Sequence, residues 1–334
     1  MKKYLTVSLM LIFIVFFFPW LWGASVKESN DEISSPQELV EDSSEQSEVQ
    51  TYDSTRLLTV LIDGKVTTMD MGSYLVGVVR AEMPASFELE ALKAQAVAAR
   101  TYTLHKIESG GSEKHPEADT CDDINCCKAY MDELQAAQNW GEQASFYEEK
   151  IRSAVMATDG ECILYEGSPV LAVFHSSSAG MTMDAQDVWS GSLPYLKSVV
   201  SPENENAVPN YRSSNTIPYS ELKQRLQEAL PQANLSGNPA NWFTNMQQRE
   251  NGTVTSLCVG GEKISGNQLR SILGLRSACF TMCFDAEGVV FSVTGYGHGV
   301  GMSQYGANVL AADGMDYREI LAWYYTGTTV EPYR

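Results

Sequence analysis

Hydrophobic and polar positions divide this chain into three regimes. Residues 4–25 carry no charge, and residues 9–18 are apolar throughout. About 20 apolar residues span a bilayer. Lys2 and Lys3 precede the run, and Trp20 and Trp22 stand where interfacial aromatics belong. Pro19-Trp20-Leu21-Trp22 fills the place where a cleavage site needs small residues. The pattern predicts an uncleaved signal anchor, a transmembrane helix over residues 1–25, with everything after it exported. Cleavage near Gly23-Ala24-Ser25 is the alternative. The next regime is polar: residues 24–56 hold nine acids, two bases and little that is apolar. Such a segment buries too little surface to offset its ordering entropy. It reads as an acidic flexible linker over residues 26–56.

From residue 57 the pattern becomes that of a folded domain, 57–334. Residues 57–62 are apolar and β-branched, Asp63-Gly64 follows, and Thr67, Thr68 and Met69 come next, which predicts a β-hairpin. Residues 70–80 read as a helix weakened by Gly72 and Gly77, ending near Met83 because Pro84 disfavours helical backbone before it. Ser86 is the expected cap of a second helix, with Glu88 and Glu90 near its start. Its Leu89, Leu92, Ala96 and Ala99 form one apolar face, and residues 94–99 are small enough for close packing. Residues 163–165 and 169–174 flank Glu166-Gly167-Ser168 as a second hairpin. A helix is expected over 219–230, strands over 254–259 and 279–284, and a short helix over 265–273. Ser303 caps a helix that stops at Gly314, and Asp316 with Glu319 opens the last one. Helices and short strands mix without a βαβ rhythm, so the expected class is α+β. Roughly 280 residues remain after the N-terminal segments, enough for one large domain or two lobes.

Charge narrows the partners. The chain has 334 residues and a net charge of −19, so it lacks the cationic surface that nucleic-acid phosphates require. Its seven cysteines are too few for a disulfide-stapled scaffold, and the odd number leaves at least one thiol outside any internal pairing. Cys162, Cys258, Cys279 and Cys283 read as small apolar strand residues.

Three segments carry candidate chemistry. Glu82 sits at a helix end among Val78, Val79, Met83 and Pro84; apolar surroundings raise a carboxyl pKa, as a general acid requires. The competing reading is a solvated Glu, or one paired with Arg80 or Arg100. His115, Cys121, Cys126 and Cys127 lie in a loop, HPEADTCDDINCC, whose residue types suit zinc. The spacing is not that of a CxxC knuckle, and a disulfide such as Cys121–Cys127 is the alternative. Among His175-Ser176-Ser177-Ser178, a His beside hydroxyls at a strand end suits a polar ligand; a polar loop with a structural His is the competing reading, and a Ser–His nucleophile lacks its elbow and orienting acid. Asp187-Val188-Trp189 and Pro194-Tyr195-Leu196 would bring aromatics close. In TGYGHGVGMSQYGA, glycines at alternate positions let backbone approach a ligand, and His298, Gln304 and Tyr305 converge at a helix start. Neither a P-loop nor a dinucleotide spacing is present there.

Taken in order, YLVGVVRAEMPASFELEALKAQAVAARTYTL, VFHSSSAGMTMDAQDVW with PYLKSV, and GYGHGVGMSQYGA with YREILAWYYTGT resemble the stage II sporulation protein D (SpoIID) family, whose domain amidase-enhancer proteins share. The resemblance covers most of residues 57–331. It implies a membrane-anchored lytic transglycosylase of peptidoglycan glycan strands. Its implied setting is engulfment in sporulation, on the extracytoplasmic side of the mother-cell membrane, with a SpoIIP-like amidase and a SpoIIM-like membrane protein as partners. It makes Glu82, of the AEMP motif, the catalytic acid. Some relatives bind zinc in an HxxxxxCxxxxHC loop; here His115, Cys121 and Cys127 keep their places and Cys126 replaces the second His, which implies a structural Cys3His site. His175, Ser177, His298, Gln304 and Tyr305 are the candidates for holding the strand or developing charge. A glycan-binding enhancer of an amidase, without cleavage, is the rival reading.

Overall fold

The computed structural model describes residues 51–189 and 191–334. The expected anchor over 1–25 and most of the expected linker lie outside them. No helix among the described residues is long and apolar enough to cross a membrane.

One helix, Leu89–Glu108, organises the larger core. Residues 94–101 are all buried, and Ala94, Ala96, Ala98 and Ala99 are fully so. The sequence predicts one apolar face; instead the helix is enclosed on every side by the helices Met71–Glu82, Ala144–Met156, Gln304–Ala312 and Tyr317–Tyr324 and by the strand Glu161–Tyr165. Small side chains all round are what such enclosure requires, because they let backbones approach. Ser86 does not cap this helix. Glu88 occupies the cap position without a side-chain bond, and its N–H donates to Asn308 Oδ1 at 2.7 Å. The Met71–Glu82 helix starts as expected, with Asp70 capping Ser73 N–H, and turns extended at Met83 before Pro84. Gly77 is required by packing: a Cβ there would lie 2.1 Å from the Tyr130 ring.

Helices and short strands are mixed through the body. The first hairpin forms as read, Leu57–Ile62 against Lys65–Asp70, with Thr120–Cys121 added in parallel on its other edge. The second hairpin is shorter than its sequence suggests: Glu161–Tyr165 pairs with Ser168–Pro169, and residues 170–173 leave the sheet. Phe174–His175 instead pairs in parallel with Met302–Ser303. The helices Glu133–Trp140 and Ala144–Met156 lie in a stretch where the sequence reading placed no element.

Residues 212–294 build a second core. Two three-stranded sheets, Phe280–Phe284/Gly288–Thr294/Arg212–Pro218 and Glu262–Ser265/Val254–Val259/Phe243–Gln248, pack with helices Tyr219–Ala229 and Gly266–Leu273 around Leu222, Leu226, Leu257, Leu269, Phe280 and Phe291. Helix 219–230, both strands and the 265–273 helix agree with the pattern. This lobe is fastened to the main body through Arg249, which pairs with Asp184 and Asp187, and through Asn251 Nδ2, which donates to Ala179 O at 2.9 Å.

Residues 51–56, expected to end the linker, enter the fold as a helical turn, Tyr52–Thr55. The reason is a buried pair. Arg100 Nε and Nη2 donate to Asp53 at 2.9 and 2.6 Å, while Nη1 reaches Glu161 O at 3.1 Å. Removing the cation strands a buried carboxylate. Arg100→Ala is expected to cost about 3–5 kcal/mol in urea unfolding; a loss below about 1 kcal/mol, the range of exposed pairs, would show that Asp53 finds water instead.

Candidate active site

Glu82 is the last residue of its helix, and two separate elements meet it, the helix that begins at Gln304 and the loop at 128–129. Gln304, the first residue of the Gln304–Ala312 helix, donates from Nε2 to the Glu82 carbonyl at 2.8 Å and to Gln95 Oε1 at 3.2 Å. The Ala129 N–H donates to Glu82 Oε1 at 3.1 Å. Lys128 places its ammonium 4.0 Å from the Tyr102 ring centroid and 3.9 Å from that of Phe174. Neither arginine named as a partner for Glu82 reaches it: Arg80 pairs with Glu148, and Arg100 with Asp53.

The carboxyl is half-buried, and burial raises its pKa; the Lys128 charge and the Ala129 hydrogen bond pull it part of the way back. Burial in turn lowers Lys128 to about 8, against the pull of Glu82. Glu82 faces a cleft of about 570 Å³, whose walls include Trp140, Phe174, His175, Ser176, Tyr296, Gln304 and Tyr305. Among the described lining residues Glu82 is the sole carboxylate. A half-buried carboxyl in an aromatic-walled groove suits a sugar chain, since rings stack on sugar faces and exclude water.

The remaining sequence candidates divide. Gln304 and Tyr305 line the cleft, and Tyr305 packs edge-on against Phe87, with centroids 4.9 Å apart. His175 is buried, with Nδ1 3.2 Å from Val300 O and Nε2 2.6 Å from Ser178 Oγ. His298 accepts from Val300 N–H at Nδ1 and donates from Nε2 to Phe174 O, both at 3.1 Å. Both rings therefore have both nitrogens engaged by the protein, which leaves them as staples between the two motifs. Burial is the main cause that keeps them neutral, lowering His175 to about 4 and His298 well below its ordinary value. Ser177 is buried with its hydroxyl unpartnered and does not line the cleft; Ser176 does. Trp189 packs on the His298 ring at 5.3 Å.

These motifs interlock through close backbone approach. A Cβ on Gly297 would lie 2.6 Å from His175 Cβ, and one on Gly301 would lie 2.1 Å from Val173 O. Beneath them sits Glu203, buried, accepting from Ser178 N–H at 2.6 Å, from Ser201 Oγ at 2.5 Å and from Ser303 Oγ. Ser303 also caps the helix that begins with Gln304. Sequence reasoning missed Lys128, Trp140 and Glu203. Lys128 directly follows Cys127, but nothing in its spacing pointed to Glu82.

The cysteine loop immediately precedes Lys128. Ligand atoms of His115, Cys121 and Cys126 all fall within 4.8 Å of one another. Cys127 Sγ is 2.9 Å from Cys121 Sγ and 3.7 Å from Cys126 Sγ, and all seven cysteines are free thiols. Burial raises Cys121 to about 12; Cys126 falls to about 7 because hydrogen bonds from Ser112 and the neighbouring thiols outweigh its burial. One nitrogen and two sulfurs cluster here with a third sulfur beside them, and His with thiolates is a donor set that suits zinc.

The profile of the SpoIID family, described as stage II sporulation protein, matches residues 63–165. The chain is 34% identical over 265 residues to stage II sporulation protein D of Bacillus subtilis, covering 79% of this chain and 75% of that protein. The chain belongs to the stage II sporulation protein D family. A second member, from Bacillus amyloliquefaciens, is 35% identical over the same shares of both chains. A Bacillus subtilis protein named amidase enhancer is 29% identical over 78% of this chain and 40% of its own length. The family match begins at the first hairpin turn and takes in both Glu82 and the cysteine loop.

The neutral histidines make stability depend on pH. An unfolded His takes up a proton near its ordinary value, whereas folded His175 does so only near pH 4. The unfolded state then binds more protons in that window, so stability falls as pH drops. Urea unfolding between about pH 7 and 5 is expected to show this decline, reduced in His175→Asn. A wild-type stability flat across that range would mean that the imidazoles protonate in place.

Proposed function

We propose that this chain is a membrane-anchored lytic transglycosylase. Its substrate is the peptidoglycan glycan strand, cut between N-acetylmuramic acid and N-acetylglucosamine to leave 1,6-anhydro-muramic ends. It acts in engulfment during endospore formation, from the extracytoplasmic side of the mother-cell membrane. The observation that carries the reading is Glu82: one half-buried carboxyl with a raised pKa, the sole carboxylate among the described residues that line a cleft with aromatic walls.

Hydrolytic glycosidases use two carboxylates, one as acid and one as base or nucleophile. A single carboxyl suffices when the substrate supplies the nucleophile. Protonated Glu82 donates to the glycosidic oxygen as the bond breaks and an oxocarbenium-like state develops. The resulting carboxylate takes the proton of the muramic C6 hydroxyl, whose oxygen attacks the anomeric carbon and closes the anhydro ring. The proton returns Glu82 to its starting form, and no water enters. Gln304 fixes the backbone of Glu82, and Ala129 N–H orients its Oε1. The acid must be protonated, so activity falls as pH rises through the raised pKa.

A non-catalytic glycan-binding enhancer of an amidase is the second reading, favoured by the relative that bears that name. The proposed partners in either case are a SpoIIP-like amidase and a SpoIIM-like membrane protein. Mass spectrometry of peptide-free glycan strands decides between the readings. Anhydro-muramic products are expected from wild type, with a loss of about 10²-fold or more in Glu82→Gln. Ordinary reducing ends would expose a second carboxylate and hydrolysis. Binding without cleavage by either protein would establish the enhancer.

For the loop, the proposal is a structural zinc held by His115, Cys121, Cys126 and Cys127. Four protein ligands leave no open position for chemistry, and the metal would supply cross-linking to a loop that has little core of its own. Elemental analysis is expected to find about one zinc per chain, with retention weakened in Cys126→Ser. Metal-free protein with two fewer titratable thiols would mean a disulfide instead.

A further inference from the structure

Cations are scarce in this chain, 23 Lys and Arg against 42 Asp and Glu, and several of its buried or half-buried arginines are paired. Arg80 meets Glu148, Arg100 meets Asp53, and Arg249 meets Asp184 and Asp187. Arg270 and Arg276 are different. Among the described residues no carboxylate lies within 4.0 Å of either guanidinium.

Both are fastened beside the cleft. Arg270, in the Gly266–Leu273 helix, donates from Nε to Arg276 O at 3.0 Å, and the same carbonyl accepts Gly297 N–H at 2.9 Å. The Arg276 guanidinium lies 4.4 Å from the ring centroid of Tyr296, and its Nε is buried without a partner. Tyr296 and Gly297 line the Glu82 cleft. Arg270 lines a second cavity of about 440 Å³ with Trp189 and His298, and His298 directly follows Gly297 of the Glu82 cleft. Burial pulls the Arg270 pKa below its ordinary value, the mark of a cation deprived of water.

Leaving two half-buried arginines of one short segment without an acid is costly, in a chain with acids to spare. The cost is recovered when an anionic ligand supplies the missing partner. Over the Tyr296 ring, the terminal Nη1 and Nη2 of Arg276 take no hydrogen-bond acceptor among the described residues, and a planar fork of donors fits a carboxylate.

We infer that Arg270 and Arg276 form an anion site that holds a carboxylate carried by the muramic residue of the glycan strand. The inference rests on the glycan reading above and names what selects muramic strands over neutral ones. The carboxylate has two sources. One is the lactyl group, which is free once a stem peptide has been removed; the other is the acidic groups of the stem peptide itself.

Binding without turnover tests it, in the full chain carrying Glu82→Gln. The ligands are peptide-free muramic strands, peptide-bearing strands, and neutral N-acetylglucosamine oligomers of matched length. Adding Arg270→Gln and Arg276→Gln is expected to weaken binding of carboxylate-bearing strands by about tenfold or more while leaving the neutral oligomer unchanged. A loss confined to peptide-free strands assigns the lactyl carboxylate; a loss confined to peptide-bearing strands assigns the stem peptide. Equal binding by both proteins, or an equal loss for the neutral oligomer, overturns the site. Salt gives a check that needs no arginine variant. Screening relieves the repulsion between an acidic protein and an anionic strand, so a strand held only elsewhere binds no worse in salt. Weakening by salt for muramic strands alone is expected, and its absence overturns the inference. A Glu82→Gln chain that binds no glycan at all sinks the glycan reading, a result distinct from good neutral binding without charge selectivity.

Discussion

Two residues of parallel pairing, Phe174 with Met302 and His175 with Ser303, hold the site together. They join a strand end to a loop more than a hundred residues later. The contact closes only because Gly297 and Gly301 lack side chains where His175 and Val173 O press against them. The imidazoles of His175 and His298 then bond across the joint, and Glu203 collects donors from Ser178, Ser201 and Ser303 below it. Buried polar groups of this kind are stable only when nearly all are satisfied together, which makes the joint an all-or-none unit.

From that joint the chemistry follows outward. Ser303 caps the helix whose first residue, Gln304, grips the Glu82 carbonyl. The position of the acid is thereby set by a segment 222 residues away in sequence. On the opposite side the loop after the cysteines delivers Ala129 N–H and the Lys128 charge. The inserted lobe brings Arg270 and Arg276 to the rim through the Arg276 carbonyl and Gly297. Each of the three peripheral parts thus reaches the cleft by a backbone hydrogen bond, a short-range and directional link that tolerates little displacement.

Much of this was legible in local pattern. The first hairpin, the helix stop before Pro84, the Ser303 and Asp316 caps and the 265–273 helix all rest on interactions among near neighbours in sequence. Glu82 could be singled out because a carboxyl among apolar residues is an anomaly. The Ser86 cap misled, since the chain after Pro84 makes an extra turn before the helix begins and Asn308, from another element, takes the first N–H. For the histidines the residues alone allowed either a structural ring or a ligand for substrate, because sequence shows the ring and not its partners.

The sequence by itself determined the order of most helices, the acidic character, a glutamate at a helix end and a His–Cys loop with a zinc-like donor set. These follow from spacing and composition, which act over a few residues. Tertiary structure alone decided that Arg80 and Arg100 serve other carboxylates, that both imidazoles are spent on the protein, and that two unpaired arginines flank the cleft. Whether a charged or polar group is free to act depends on which distant group is buried beside it, and no spacing along the chain encodes that directly.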